Sequence, residues 1–227
     1  MVEPGDRFDA AYYRKFYGTA PVHDARRIGH LAAGVDGLCR WWGVPVRSVL
    51  EVGAGPAYWR RWFAAERPRV RVHTIDVSAH ACRRYGHEQA DIADWEPARP
   101  YDLVVAQGVL QYLDDRAAAR AISNLAAATR SVLFLEVPTT ADRDGVLDAS
   151  VSDLDVHWRT GAWYRRRLRD HFVELGGGLH YARSGPILFY ELERSPTPAR
   201  ARRAAAAGPP PGPGPRPGGG TPPPSTA

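Results

Sequence analysis

Apolar positions change their period several times along this chain, and each change marks a predicted element. Asp9 to Phe16 reads as a short helix ended by Gly18. Before Gly43, residues Ile28, Leu31, Ala32, Val35, Leu38 and Trp42 recur at three- and four-residue spacing, which places them on one helical face. The pattern then becomes a short continuous run rich in Val and Leu, Val46 to Val52, that ends in Gly53-Ala54-Gly55, as expected for a buried strand entering a tight turn. A helical pattern over Pro56 to Glu66, a strand over Val70 to Asp76 and a helix over Ser78 to Tyr85, with Ser78 as its N-cap, follow in order.

The alternation continues with a strand over Tyr101 to Gln107, an Ala-rich helix over Asp115 to Thr129 and a strand over Ser131 to Val137. Repeated strand-helix units with nearly all-apolar strands predict an α/β fold whose parallel sheet is covered on both faces. The ending breaks the pattern. A helix from Gly161 to Asp170 leads to a strand at Phe172 to Leu175, then Gly176-Gly177-Gly178, then a last strand around Pro186 to Leu192. Two strands without an intervening helix predict a closing antiparallel hairpin. In open sheets of this kind ligands bind beyond the carboxyl ends of the strands, so the residues that follow each strand are where function is sought.

Composition adjusts this picture at one end. The 227 residues carry a net charge of +5, but the segment from Ser195 to Ala227 holds four arginines, 11 prolines and six glycines with no acid. The remaining 194 residues are therefore at +1. Without apolar side chains to offset ordering entropy, residues 195–227 are expected to be a disordered or polyproline-like tail. Only Lys15 among the 30 basic residues is a lysine, a bias that reads as coding preference and weakens any inference of nucleic-acid binding. Cys39 and Cys82 are too few for a disulfide framework or a structural zinc site, and a reducing cytoplasm is the expected compartment. The chain shows neither a secretory leader nor a run of about 18 apolar residues, so no membrane association is expected.

The turn after the first strand carries the chemistry. Glu51-Val52-Gly53-Ala54-Gly55-Pro56-Ala57 puts an acid at the strand end and two glycines where a ligand can approach the main chain. A dinucleotide loop would place a third glycine where Tyr58 stands, and its bulk argues against a nicotinamide or flavin cofactor. No Gly-Lys-Ser/Thr follows, which excludes a P-loop.

The chain resembles the class I S-adenosylmethionine-dependent methyltransferases, of the bacterial small-molecule type. Val49 to Gly55 is similar to the first motif of that family, with Ala57 at its third small position. Thr74-Ile75-Asp76 resembles the second motif and Gln89-Ala90-Asp91-Ile92 the third. Tyr101 to Gln107 with Val109-Leu110-Gln111-Tyr112-Leu113 resembles the fourth. The resemblance covers residues 46–194. It implies a Rossmann-like, doubly wound, mostly parallel seven-stranded sheet with a C-terminal antiparallel hairpin. It also implies an N-terminal helical cap over 1–45, and S-adenosyl-L-methionine as methyl donor to an O, N or C nucleophile of a small molecule.

The residue chemistry fits that cofactor. Asp76, followed by Val77, can accept both ribose hydroxyls, Asp91 can take the adenine amine while Ile92 covers the ring, and Gln107 with the Gly53 backbone can hold the methionine amino end. Gly55 completes the turn and Glu51 would add negative charge near the ammonium. Tyr17, with Tyr12, Tyr13 and Phe16, either forms a lid over the sulfonium or packs the first helix against the domain.

His157, in Val156-His157-Trp158-Arg159, is the candidate general base, its alternative being to fix this loop to the core. Arg159 either orients an acceptor carboxylate or is a solvated surface residue. Asp142, Asp144, Asp148, Asp153 and Asp155 read as a solvated acidic lid, and His80 and His87 are spaced too far apart for a zinc helix, so no metal is expected. Ala106-Gln107-Gly108-Val109-Leu110 lacks the polar residue and Pro-Pro-aromatic run of base-modifying enzymes, so a nucleic-acid substrate is not expected. Two other classes stay open: a non-catalytic S-adenosylmethionine-binding or regulatory protein, and a nicotinamide-dependent oxidoreductase.

Overall fold

The computed structural model of the chain describes residues 5–18, 21 and 23–195. The expected tail, 195–227, lies outside the described residues except for Ser195. Five strands run parallel in the order the alternating pattern requires: β1 (Ser48–Val52), β2 (Arg71–Asp76), β3 (Glu88–Gln89), β4 (Tyr101–Gln107) and β5 (Thr129–Glu136). They join β6 (Phe172–Gly176) and β7 (Leu179–Ala182) in one seven-stranded sheet of order β3-β2-β1-β4-β5-β7-β6, with β7 antiparallel to both of its neighbours. The sheet is thus the mostly parallel, doubly wound one expected.

Its two faces follow from the period-2 alternation of strand side chains. Leu50, Val52, Val104, Ala106, Leu133 and Leu135 point to one face, where α5 (Asp115–Ala128) contributes Ala121, Ile122 and Leu125 and α7 (Gly161–Leu168) contributes Tyr164 and Leu168. Val49, Leu103, Val105, Val132 and Phe134 point to the other, under α2 (Ala25–Trp41) and α3 (Tyr58–Glu66). Each large aliphatic side chain buried here contributes roughly 1.5–3 kcal/mol. The remaining helices are α1 (Ala10–Tyr17), α4 (Ala79–Tyr85) and α6 (Thr140–Gly145). Among the described residues, no helix is long and apolar enough to cross a membrane.

The cap expected at Ser78 is present, and three aspartates cap other helices in the same way. Asp9, Asp24, Ser78 and Asp114 each accept backbone N–H groups of the following turn. The buried face of α2 differs by one position from the periodic reading. Ile28, Ala32, Val35 and Cys39 face the sheet, while Leu38 is left exposed, because a 3.6-residue period carries the stripe past Leu38 by the last turn.

The hairpin corrects the reading of the chain end. The strand expected at Pro186 to Leu192 is not one: its place is taken by β7, and Leu188 and Leu192 are almost fully exposed. Gly176, Gly177 and Gly178 all have positive φ, so the chain reverses within the glycine run and pairs at once. Strand β3 is two residues long, too short for a periodic signal.

Candidate active site

The carboxyl ends of β1, β2, β4 and β5 align in register, with Val52 opposite both Ile75 and Ala106 and Gln107 opposite Glu136. A cavity of about 140 Å³ lies beyond them. A cavity needs only about 10–15 Å³ to hold one water, so this space is well beyond a packing defect.

The glycine turn forms the floor. Gly53 and Gly55 adopt left-handed φ values of 62° and 49°. A Cβ on Gly53 would come within 2.5 Å of Val109 Cγ2, so the turn after β4 can pack here only against glycine. Ala57 also has a left-handed φ, 59°, which costs a non-glycine residue roughly 1–2 kcal/mol. Its burial against the core offsets part of that strain.

Asp76 closes one side. Its Oδ2 accepts the Gly55 N–H at 2.8 Å and its Oδ1 accepts the Ser78 N–H at 2.8 Å, leaving a lone pair on each oxygen for a ligand. Burial raises its pKa above the ordinary Asp value, against the pull of those two N–H groups. His87 holds the turn from beneath. Its Nε2 lies 2.9 Å from the Gly55 carbonyl, which can only accept, so Nε2 carries the proton and Nδ1 accepts from the Thr74 hydroxyl at 2.8 Å. Burial lowers the His87 pKa and keeps the ring neutral.

Ala90, Asp91 and Ile92 follow β3 on the same wall, with Asp91 Oδ1 accepting the Ala93 N–H at 2.8 Å. Val109, Tyr112 and Leu113, from the short 3-10 turn after β4, supply apolar and aromatic surface. The N-terminal segment forms the roof through Phe8, Tyr12, Tyr13 and Tyr17. It is fastened by the Ser78 hydroxyl donating to the Phe8 carbonyl and by a 2.8 Å contact between the Tyr12 and Tyr112 hydroxyls. Burial pushes the pKa values of both Tyr12 and Tyr112 up, so the pair stays neutral. Arg7, also in the lining, pins the roof by bonding Asp153 Oδ2 at 2.9 Å and Asp155 Oδ2 at 3.1 Å.

Gly53, Gly55, Asp76, Val77, Asp91, Ile92, Gln107 and Tyr17, all singled out from sequence, line this one cavity. Phe16 is not among its lining residues. Glu51 is also not: its carboxylate turns under the sheet end and accepts the Trp59 and Arg60 N–H groups at 3.3 and 3.1 Å, capping α3. Burial pushes its pKa up to about 8, so at neutral pH it brings little charge.

His157 does not reach the site either. Its side chain is exposed outside the cavity lining, and its contribution is a backbone N–H donated to the Gln111 carbonyl at 2.8 Å. Arg159 is buried rather than solvated, bound to Asp115 at 2.7 Å and to the carbonyls of Leu110 and Leu113, where it ties the turn after β4 to α5. The acidic loop is not wholly solvated, since Asp153 is mostly covered in its pairing with Arg7 and Asp142 caps α6 through Thr139.

Sequence reasoning passed over His87 as a turn brace, and over Glu136. The signal for Glu136 was available, a lone acid ending an apolar strand, the same placement that picked out Asp76. Together the lining offers a carboxylate for paired hydroxyls, a second carboxylate beside apolar walls for an aromatic ring bearing an amine, and an amide next to the glycine turn for a polar end.

Comparison with known proteins points the same way. A family model described as a methyltransferase domain matches residues 23–178. Two curated relatives, both named trans-aconitate 2-methyltransferase, are 34% identical: one from Azoarcus sp. (strain BH72) over 77 residues, 31% of this chain and 30% of that protein, and one from Methylobacterium nodulans over 119 residues, 48% and 42%. The chain thus spans less than half the length of these relatives. Among solved structures, the magnesium protoporphyrin IX methyltransferase from Synechocystis PCC 6803 with bound SAM shares the fold at a TM-score of 0.53 and 18% identity, over 78% of this chain and 88% of that one. DesVI of Streptomyces venezuelae does so at a TM-score of 0.52 and 15% identity, over 68% and 90%.

Proposed function

We propose, from the premise that this chain belongs to the methyltransferase-domain family whose model it matches over residues 23–178, that it moves a methyl group from S-adenosyl-L-methionine to an O, N or C nucleophile of a small molecule. The observation that carries this reading is the convergence of Asp76, Asp91, Gln107 and the Gly53–Gly55 turn on one cavity at the carboxyl edge of the sheet.

The donor set fits that cofactor group by group. Asp76 would offer its free lone pairs to the two ribose hydroxyls, and Asp91 would accept from the adenine amine, with Val77 and Ile92 supplying apolar surface for the ring. Gly53 and Gly55 let the ligand lie against the backbone, and Gln107 meets the methionine end. S-adenosylmethionine supplies a methyl carbon on a sulfonium, open to in-line displacement with a neutral thioether as leaving group.

The protein's own work is positional. The floor and walls would fix the reacting axis, and the roof of Phe8, Tyr12, Tyr13 and Tyr17 would exclude water and offer aromatic surface to a sulfonium. The neutral Tyr12–Tyr112 hydroxyl pair can orient an acceptor but does not serve as a base.

A binder without turnover and an enzyme differ in product. Incubation with S-adenosylmethionine and a panel of small carboxylates, amines, phenols and sugars should release S-adenosylhomocysteine with at least one acceptor class. Cofactor binding without release across the panel would favour the regulatory reading. Saturable binding of a nicotinamide dinucleotide in place of S-adenosylmethionine would remove the methyltransferase reading.

A further inference from the structure

Gln107 is held on two sides, and the way it is held assigns its amide. Trp59 Nε1, a donor only, lies 3.0 Å from Gln107 Oε1, and Glu136 Oε2, an acceptor, lies 3.1 Å from Gln107 Nε2. Either contact alone would fix which end of the amide is oxygen, and the two agree. Glu136 is held in turn, its Oε1 lying 3.0 Å from His23 Nε2. Trp59 is held as well, its backbone N–H bonded to Glu51. A continuous polar chain, Glu51–Trp59–Gln107–Glu136–His23, therefore runs across the ends of β1, β4 and β5, and Gln107 is its member in the cavity lining.

We propose that Glu136 is a positioning residue for the cofactor. It touches no ligand itself but sets the plane of the Gln107 amide, so that its free N–H and the second lone pair of Oε1 are aimed before the cofactor arrives, the lone pair toward the methionine ammonium. The reason is physical. An amide clamped at both ends loses no rotamer freedom on binding, whereas a free Gln side chain loses much of it. His23 completes the arrangement by occupying the second oxygen of Glu136, which leaves Oε2 for Gln107. The proposal rests on the reading of the cavity as an S-adenosylmethionine site.

The test is a double-mutant cycle on S-adenosylmethionine affinity, measured by calorimetry on the full chain, with thermal unfolding of every variant alongside. Glu136→Leu, which keeps bulk but removes the acceptor, should weaken binding about tenfold, the size expected for one charge-assisted hydrogen bond acting on a ligand contact. Glu136→Gln, which keeps an acceptor oxygen, should stay within about threefold of the parent. In a Gln107→Ala background, Glu136→Leu should have no further effect, because its influence passes through the amide already removed.

Parental affinity in Glu136→Leu would overturn the proposal. So would an additive loss in the double variant, or a Glu136→Gln as weak as Glu136→Leu. A uniform drop in melting temperature with additive binding losses would assign Glu136 to stability alone. Failure of the parent chain to bind S-adenosylmethionine would instead reject the cofactor reading on which the cycle stands.

Discussion

At the scale of single residues, the two glutamates at strand ends behave oppositely, and burial explains why. Glu51 sits wholly inside the protein with a pKa pushed up to about 8, while Glu136 is drawn below the ordinary Glu value, because the bonds from His23 and Gln107 outweigh the burial that opposes them. An unfolded Glu titrates near ~4.3. Between that value and about 8 the folded chain keeps a proton on Glu51 that the unfolded chain has released, so this group's contribution to stability declines as pH rises through that window. Glu51→Gln removes the titration. The melting temperature of the variant minus that of the parent should therefore grow from pH 5 to pH 8.5, and a constant difference would show that Glu51 titrates alike in both states. From sequence, both residues are acids ending apolar strands. Which of them keeps its charge depends on how deeply the carboxylate is buried and whether its partners outweigh that burial, and that is a tertiary fact.

At the scale of elements, the strand-helix alternation and most boundaries were legible because they rest on periodicity and local caps. The site was legible for a related reason: strand ends in a parallel sheet share one edge, so Asp76, Asp91 and Gln107, far apart in sequence, converge once the alternation is recognised. The hairpin was misplaced because Pro186 to Leu192 has a strand-like composition, while the pairing is decided by Gly178. Its φ is +81°, its carbonyl accepts the Leu135 N–H at 2.8 Å, and a Cβ there would lie 2.9 Å from the Leu135 carbonyl oxygen and 3.0 Å from Phe134 Cε2. Gly177 has a positive φ too, but open space around it. Gly178→Ala should thus destabilise the fold by at least about 2 kcal/mol, and Gly177→Ala by only about 1 kcal/mol. Equal urea midpoints for the two variants would contradict this account of the turn.

At the scale of the whole molecule, the sheet provides a rigid edge and the N-terminal segment a roof held by side chains: the Ser78 hydroxyl, the Tyr12–Tyr112 pair, Arg7 with its two aspartates, and ring contacts of Phe8 with Tyr112 and of Tyr13 with His80 and Tyr85. That division suits a site that must admit a cofactor and then exclude water. Little of the net charge of +5 belongs to the part that builds the site, since residues 195–227 hold four arginines and no acid and the remaining 194 residues are at +1. The most direct measurement is a calorimetric titration of S-adenosylmethionine into the full chain, its Asp76→Ala variant and a chain lacking residues 200–227. The account predicts one saturable site in the full chain, the same affinity without the tail, and at least a tenfold weaker site in Asp76→Ala, as loss of a carboxylate bound to ligand hydroxyls requires. No saturable binding to the full chain, or unchanged affinity in Asp76→Ala, would contradict it.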